Sequence, residues 1–464
     1  MASSSRSLDM RIIDRQRLAA LTEQEANRFA AEHPNSKALF ERARASLLGG
    51  VPMNWMVKWA GPFPVFVAEA KGSHFIDVDG FEYVDFCLGD TGAMTGHSPD
   101  AAADAIAAQA RRGITFMLPT EDSIWVGEEL VRRFGLPYWQ FTLTATDANR
   151  FSIRIARHIT ERPFVLVFNY CYHGTVDESF ATLENGAVVP RRGNIGPPVT
   201  PAETTRVVEF NDLDALEKAL ARRDVACVLA EPAMTNVGII HPDPGFHTAL
   251  RELTRRTGTL LILDETHTIC AGPGGYTRAH NLEPDMFVIG KPLASGVPAA
   301  AYGFTAEIAQ RIVEKIHIED CDTGGIGGTL AGNAMSLAAM RATLEAVLVP
   351  EAFEIMIPMA ERFERGVANS IAGAKMPWHV TRLGCRAEYQ FRPTRPRNGS
   401  EAAAAMDFPL ERFLHLHALN RGILLTPFHN MALMSPATSE ADVDLHTRAF
   451  GEALRDLTGE SISA

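Results

Sequence analysis

Two charged side chains that could do chemistry together stand at the ends of apolar runs. Asp264 follows the run LLIL and Lys291 follows MFVIG, and each run has the length and composition of a buried strand. The carboxyl ends of parallel strands meet along one edge of a sheet, so the two side chains are expected to lie close together. Two further runs bring Tyr172 with His173, and Glu231, to the same edge. These residues predict one shared site.

An amine and a carboxylate placed in this way match the needs of pyridoxal phosphate (PLP). Burial lowers the pKa of a lysine amine, which makes it a usable nucleophile for Schiff-base chemistry. Lys291 stands between Gly290 and Pro292, which restrict the backbone around it. The Asp264 carboxylate would hold a pyridine nitrogen in its protonated form. The pair therefore predicts a PLP site with Lys291 and Asp264 as the catalytic residues.

Two stretches rich in threonine and small residues could hold the phosphate of that cofactor. The first is LTATDANRFSIRIARHIT (143–160), which predicts a helix with one apolar face. The amides at its start and the Thr146 hydroxyl would bind a phosphate without a basic residue. The second is DTGGIGGTLAGN (322–333), which also leads into a helix. A threonine that only caps its helix is the alternative in both places.

Helical patterns alternate with short apolar runs from about residue 100 to 345, which predicts an α/β fold with a mostly parallel sheet. The runs are 164–170, 227–232, 260–265, 286–291 and 300–305. Three parts are expected along the chain. They are 1–95 (N-terminal helix and strands that contribute to a small domain), 96–345 (large cofactor-binding domain) and 346–464 (C-terminal small α+β domain). Residues 12–48 and 333–374 are predicted to be helical.

Composition excludes several classes of protein. The 464 residues carry a formal net charge of −12, which disfavours nucleic acid or an anionic membrane as a partner. Six cysteines occur without a CxxC pair, so neither a zinc site nor a disulfide framework is expected. No cluster of His, Asp and Glu has the spacing of metal ligands. The start lacks a signal peptide and no run is long enough to span a membrane, so a cytoplasmic protein is expected.

The order of several short motifs resembles the class III aminotransferases, which are PLP enzymes of fold-type I. The motifs are GHSPD (96–100), YHG (172–174), EP (231–232), LDE (263–265), GK (290–291) and GGTLAGN (327–333). The chain looks most like the branch that contains glutamate-1-semialdehyde aminomutase and the β-amino-acid and amine transaminases. The resemblance runs from about residue 48 to the C-terminus. It implies a large domain whose mostly parallel sheet is flanked by helices, plus a smaller α+β domain.

The resemblance also implies a role for each matching residue. Lys291 would form the Schiff base and carry a proton to and from the substrate carbon, and Asp264 would pair with the ring nitrogen. The remaining cofactor contacts would be Tyr172 on one ring face, Thr266 near the other, Ala145 and Thr146 at the phosphate, and His173 and Glu231 close by. Thr329 would reach the phosphate of a neighbouring subunit, which implies a homodimer with sites at the interface.

One departure from the family pattern concerns the phosphate loop. The family commonly has Ser-Gly-Thr-Glu-Ala where this chain has TATDA (144–148). The length, the helix start and the threonine are kept, so phosphate binding is still expected.

A larger departure concerns the substrate. The segment GGVPMNWMVKW (49–59) has Met53, Trp55 and Met56 where an arginine for a substrate carboxylate is expected. These three residues, with Tyr172, are predicted to form an apolar substrate wall. A site without that arginine leaves a carboxylate desolvated and unpaired. Two alternatives stay open: the wall residues could pack a dimer interface, and Lys58, Arg386 or Arg392 could supply the cation.

The sequence thus predicts a PLP-dependent transaminase. It would move an amino group between an amine, or a β-amino acid, and a keto acid or ketone. Glutamate-1-semialdehyde 2,1-aminomutase is an alternative within the family. A non-catalytic PLP-fold protein that serves as a binding module is the alternative from another class.

Overall fold

The computed structural model describes residues 13–315 and 324–459. Cys321 and the first two residues of the second threonine-rich stretch lie outside this part. The helices are α1 (Arg15–Glu32), α2 (Pro34–Ala43), α3 (Asp100–Arg112), α4 (Glu121–Phe134), α5 (Ala145–Thr160), α6 (Leu213–Leu220), α7 (Phe246–Thr257), α8 (Gly275–Ala279), α9 (Ala306–Lys315), α10 (Ala334–Ala346), α11 (Pro350–Gly373), α12 (Gly399–Ala403), α13 (Phe408–Leu419) and α14 (Glu440–Thr458). The strands are β1 (Val67–Lys71), β2 (His74–Asp77), β3 (Glu82–Asp85), β4 (Tyr138–Thr142), β5 (Phe164–Phe168), β6 (Ala181–Glu184), β7 (Ala187–Pro190), β8 (Thr205–Val208), β9 (Val225–Ala230), β10 (Leu260–Asp264), β11 (Met286–Ile289), β12 (Ala300–Phe304), β13 (His379–Leu383), β14 (Arg386–Gln390), β15 (Ile423–Leu424) and β16 (Met431–Leu433).

A seven-stranded sheet in the order β4-β12-β11-β10-β9-β5-β8 forms the centre of the described chain. The strands from β11 to β8 run parallel, and β12 pairs antiparallel with both β11 and β4. Strands β9 to β12 are buried along their whole length, which explains their continuous apolar sequences. The predicted α/β fold with a mostly parallel sheet is confirmed.

The two edge strands of this sheet, β4 and β8, were not among the predicted runs. β4 alternates exposed and half-buried residues along YWQFT because one side of it has no neighbouring strand. Such a segment lacks the continuous apolar pattern that marks the inner strands.

The two long predicted helical regions each contain a break at a proline. The region 333–374 divides into α10 and α11, and Pro350 is the first residue of α11. The N-terminal region divides at His33, with Pro34 opening α2. Proline has no amide hydrogen to donate and disfavours helical geometry in the residue before it, so Pro34 and Pro350 each begin a new helix. Pro358, by contrast, lies inside α11.

The smaller sheets combine distant parts of the chain. Strand β15 pairs parallel with β3, with Ile423 opposite Val84, so the N-terminal strands share a sheet with the C-terminal region. Strands β13, β14 and β16 form a separate antiparallel sheet. This pairing supports the proposed grouping of the N- and C-terminal parts, while the boundaries at 95 and 345 stay a prediction.

The β13–β14 turn packs directly on the segment that follows β10. Gly384 has φ +56°, and a Cβ there would overlap the Cys270 carbonyl oxygen. Cys385 N donates to that same oxygen at 2.9 Å. A close backbone approach therefore joins the C-terminal sheet to the site-bearing part of the large sheet.

Replacing Gly384 with alanine should lower the free energy of unfolding by about 2 kcal/mol or more, because a positive φ and a backbone clash act together. Urea unfolding of the wild type and the variant measures this loss. Gly186→Ala is the matched control, since Gly186 also has a positive φ (+79°) but has no atom within 4 Å of the point that a Cβ would occupy. Equal losses in the two variants would show that the Gly384 contact does not hold the sheets together.

Candidate active site

A cavity of about 350 Å³ lies at the carboxyl ends of β10 and β11. Asp264 ends β10, and in the parallel register it lies opposite Val288 of β11, three residues before Lys291. The lining residues are Trp55, Gly92, Leu143, Thr144, Ala145, Thr146, Tyr172, Gly174, Asp264, Thr266, His267, Lys291, Gly296, Val297, Pro298 and Ala299. The structure therefore brings the predicted acid and lysine into one pocket.

Asp264 is a buried carboxylate that accepts three hydrogen bonds, two at Oδ2 and one at Oδ1. His173 Nδ1 donates to its Oδ2 at 3.0 Å and Asn149 Nδ2 donates to the same oxygen at 2.7 Å. The backbone amide of Thr266 donates to Oδ1 at 3.1 Å. His173 was predicted to contact the cofactor directly, whereas here it reaches the cavity through Asp264. Asn149, on α5, was missed by the sequence analysis.

The Asp264–His173 pair stays charged near neutral pH. Burial by itself would raise the pKa of Asp264, but the hydrogen bond and charge of His173 lower it below its ordinary value. Burial would lower the pKa of His173, yet Cys171 and the Asp264 carboxylate raise it to about 10. A permanently ionised carboxylate at the cavity wall is suited to hold a protonated ring nitrogen.

Glu231 lies behind this pair rather than in the cavity. It is buried and accepts hydrogen bonds from the amide and the hydroxyl of Thr235. Burial raises the pKa of Glu231 to about 7. The structure thus places it as a support for the site, outside the residues that line the cavity.

The start of α5 contributes a cradle of small groups to the lining of the same cavity. Thr144 caps the helix, accepting from Asp147 N at 3.2 Å, and Ala145 and Thr146 form the first turn. The Thr146 hydroxyl accepts from Thr175 N at 3.1 Å. Gly174 has φ +77°, and a Cβ there would overlap Thr146. The helix start and its amides can bind a phosphate here.

These groups fit a phosphorylated pyridine aldehyde. A carboxylate, a helix start and an amine line one cavity, matching the ring nitrogen, the phosphate and the aldehyde carbon of PLP. The Thr266 hydroxyl is buried next to the Asp264 carboxylate, whose pKa it helps to lower. A hydroxyl also has acceptor capacity that a group bound in the cavity can use.

Lys291 contacts two residues that the sequence analysis did not single out. Its Nζ lies 2.8 Å from Asp90 Oδ2 and 2.9 Å from His267 Nε2. His267 comes only three residues after Asp264, on the loop leaving β10. Asp90 comes from the loop after β3, 201 residues away in sequence. Asp90 and Lys291 are too far apart in the sequence for a local pattern to indicate this contact.

The predicted apolar wall is formed in part. The Trp55 ring meets the Tyr172 ring edge-on with centroids 5.8 Å apart, and it also meets Phe428 at 5.6 Å. Met53 and Met56 are partly exposed and lie outside the residues that line the cavity. Trp55 and Tyr172 are thus the wall residues that the fold brings to the site.

The three candidate cations also lie outside the lining. Lys58 Nζ stands 5.2 Å from the centroid of the Phe428 ring. Arg386 is fully buried, and one of its nitrogens donates to Thr235 O at 3.1 Å. Arg392 donates to Glu401 O at 3.1 Å.

Thr329 lies in a different cavity, of about 330 Å³, beside Phe116, Met117 and Leu118. It is exposed, and it is not among the residues that line the Asp264–Lys291 cavity of the same chain.

Across the described residues, no helix is long and apolar enough to cross a membrane.

The chain is similar to known proteins over most of its length. The model for "Aminotransferase class-III" matches residues 55–454. A glutamate-1-semialdehyde 2,1-aminomutase from Sorangium cellulosum is 34% identical over 434 residues, covering 91% of this chain and 96% of that protein. A solved glutamate-1-semialdehyde-aminomutase from Pseudomonas aeruginosa PAO1 is 53% identical with a TM-score of 0.94, covering 96% of this chain and 99% of the other. A variant of that enzyme has been solved in complex with PMP. An omega-transaminase from Sphaerobacter thermophilus is 28% identical with a TM-score of 0.83, covering 91% and 98% of the two chains.

The substitution Asp264→Asn should destabilise the protein strongly, because it leaves His173 buried without its anion. Breaking a buried pair by removing one partner costs about 3–5 kcal/mol. The pKa of His173 is raised from 6.5 to about 10. The charged histidine therefore contributes its full stabilisation of the folded state below pH 6.5, and this contribution is lost as the pH rises through 10. The stability gap between wild type and variant should therefore narrow across that range in urea unfolding series.

The control for this substitution is Glu283→Gln, which breaks the exposed pair with Arg255. It should leave the stability within error of the wild type. The charged-pair assignment would be contradicted if Asp264→Asn lost as little stability as the control. It would also be contradicted if the difference in unfolding free energy between wild type and Asp264→Asn stayed constant up to pH 10.

Proposed function

This chain belongs to the class III aminotransferases and is therefore a PLP-dependent enzyme of fold-type I that acts on small molecules, and on that premise we propose that it is a transaminase for amines without a carboxylate on the amine-bearing carbon. The observation that carries this proposal is the lining of the cavity. Among its residues in the described structure there is no arginine, and the basic side chains are Lys291 and His267.

A substrate carboxylate would be poorly compensated in this cavity. It would lose its hydration without gaining the bidentate cation that usually replaces it. The charge of Lys291 is already compensated by Asp90, so Lys291 does not offer a free cation to a substrate carboxylate. The rings of Trp55 and Tyr172 instead offer an apolar surface that an aryl or alkyl group can cover.

Each residue then has a defined task in the proposed reaction. When bound, PLP supplies an electron sink that stabilises negative charge on the carbon next to the amine. Lys291 is the covalent attachment point and, once released, moves the proton between that carbon and the cofactor side. Asp264 holds the proton on the ring nitrogen. Ala145 and Thr146 hold the phosphate, and Tyr172 and Thr266 flank the ring.

Glutamate-1-semialdehyde 2,1-aminomutase is the second candidate function, and the comparisons favour it. The Sorangium cellulosum and Pseudomonas aeruginosa relatives carry that name at 34% and 53% identity. Under this assignment the substrate carboxylate needs a cation from outside the lining, either Lys58 or a residue of a second subunit. A non-catalytic binding module is disfavoured, because Asp264 and Lys291 line one cavity and the family is enzymatic.

A substrate panel separates the two functions. Purified holoenzyme is assayed with an arylalkyl amine and pyruvate, with a β-aryl-β-amino acid and a keto acid, and with glutamate-1-semialdehyde alone. The highest kcat/KM is expected for the arylalkyl amine, and the β-amino acid should follow it. Lys291→Ala is the control and should abolish turnover in every arm. Activity on glutamate-1-semialdehyde only would overturn the proposal and establish the second candidate.

We also propose that the functional unit is a homodimer whose cofactor site includes Thr329 of the second subunit. Exposed apolar side chains surround Thr329: Met117 is 76% exposed, Leu118 is 72% exposed and Leu330 is 50% exposed. A contiguous apolar patch of this kind is typical of a surface that a partner covers. The family resemblance supports a second copy as the partner. A cytoplasmic location is part of the same proposal.

The double variant Met117→Glu/Leu118→Glu should shift the protein from dimer to monomer, because it places charge in the centre of the apolar patch. Light scattering after size exclusion should give a wild-type mass near twice the chain's 50.6 kDa and a variant mass near that value. The variant should also retain PLP less well, since Thr329 can no longer reach it. Ile195→Glu is the control, because Ile195 is 93% exposed but lies elsewhere. A double variant that stays dimeric would contradict this interface.

A further inference from the structure

The Lys291 amine lies between the carboxylate of Asp90 and the imidazole of His267, and neither residue has a role in the proposed reaction so far. Asp90 Oδ2 is 2.8 Å from Nζ, and His267 Nε2 is 2.9 Å from it on another side. Asp90 Oδ1 is buried and has no hydrogen-bond partner in the described structure. We refer to these two residues as the Asp90–His267 pair.

The backbone that presents the carboxylate is strained. Residues 88–91 all have positive φ, including 51° for Asp90 and 83° for Thr91. A β-branched residue such as Thr91 rarely adopts such a value, because its side chain crowds the backbone there. Strain persists where the surrounding structure fixes it, and it clusters at functional sites. Lys291 also has a positive φ, of 46°. The carboxylate and the amine are thus both held in place by unusual backbone.

The tautomer of His267 depends on the proton of Lys291. Nδ1 of His267 lies 3.0 Å from the Thr91 hydroxyl and 3.3 Å from a nitrogen of Arg386. A lysine ammonium and a guanidinium have only donors, and a neutral imidazole can accept from one of them. The shorter contact, 2.9 Å from Lys291 Nζ, assigns the acceptor to Nε2. The imidazole proton then sits on Nδ1, facing the Thr91 hydroxyl, and the 3.3 Å contact with Arg386 is not a hydrogen bond. Burial and the charge of Lys291 lower the pKa of His267 well below its ordinary value, which keeps the ring neutral.

Other charged groups also face this cluster from the neighbouring elements. Arg386 on β14 and His429 on the loop before β16 favour the ionised form of Asp90, after Lys291 and His267. Asp264 faces His267 from the end of β10, and Tyr172 stands near Asp90 with a raised pKa due to burial and that carboxylate. Of these groups, Asp90 is the carboxylate in contact with the lysine nitrogen.

We propose that Asp90 and His267 are positioning residues for the Lys291 nitrogen: Asp90 favours its protonated form while it is bonded to PLP, and His267 holds its direction when it is released. The carboxylate compensates the positive charge on the bonded nitrogen. His267 accepts one N–H bond of the released amine and so limits its rotation. The released amine is then free to take up the proton that it moves during the reaction. The inference rests on the family assignment and not on the proposed substrate.

The pH titration of the visible absorption band of the holoenzyme tests this role, because the band reports the protonation of the lysine nitrogen joined to PLP. Asp90→Asn should lower the midpoint by about 1–3 pH units, since an adjacent opposite charge raises the pKa of a cation by that amount. Asp90→Glu should recover part of the shift. His267→Leu should lower the midpoint by less than Asp90→Asn does.

Asp100→Asn is the matched control, because it breaks an exposed aspartate–lysine pair with Lys71. It should leave the midpoint unchanged. An Asp90→Asn holoenzyme that titrates with the wild type would overturn the proposal. If that variant does not take up PLP, unchanged midpoints in both Asp90→Glu and His267→Leu would overturn it instead. The titration contains no substrate, so failure of the substrate panel does not affect it.

Discussion

A buried carboxylate at the end of β10 is the constraint on which the rest of this site depends. An ionised group taken out of water costs several kcal/mol unless donors and opposite charge replace the lost hydration. For Asp264 the replacement comes from His173, after β5, and from Asn149, on α5. These contacts fix the spacing between the sheet and α5, whose start is the proposed phosphate site. The parallel register with β11 then sets where Lys291 enters the cavity. One compensated charge thus determines the positions of the three parts that a PLP site requires.

A second charge in the lining of the cavity, that of Lys291, is also compensated by a neighbouring residue. Lys291 is balanced by Asp90, much as Asp264 is balanced by His173. With the charges of both proposed catalytic residues matched by the chain itself, no unpaired cation lines the cavity among the described residues. The aromatic contact of Trp55 and Tyr172 forms the proposed apolar wall. The same electrostatic arrangement therefore supports both the proposed substrate class and the role of the Asp90–His267 pair.

The parts of this structure that the sequence predicted share a local signal. Asp264 and Lys291 follow continuous apolar runs, and α5 has a periodic apolar face. A short stretch of sequence is therefore enough to predict each of them. The edge strand β4 lacks such a run because a sheet neighbour is absent on one side and its residues alternate in exposure. The edge strand β8 is mostly buried but only four residues long, with Thr205 and Arg206 in it. Asp90 was missed for another reason: it meets Lys291 only after the loop beyond β3 folds back across 201 residues. Likewise, the buried position of Arg386 against His267 and Thr235, which removes it from the substrate surface, depends on how β14 packs and cannot be read from local sequence.

The central claim is that Lys291 is the residue that joins the chain to PLP at the cavity beside Asp264. Borohydride reduction of the holoenzyme, followed by proteolysis and mass spectrometry of the peptides, tests it directly, because reduction makes the link between cofactor and lysine permanent. The account predicts a pyridoxyl phosphate adduct on the peptide that contains Lys291, and on no other lysine. An adduct on a different lysine, or a reduced protein without an adduct, would contradict it.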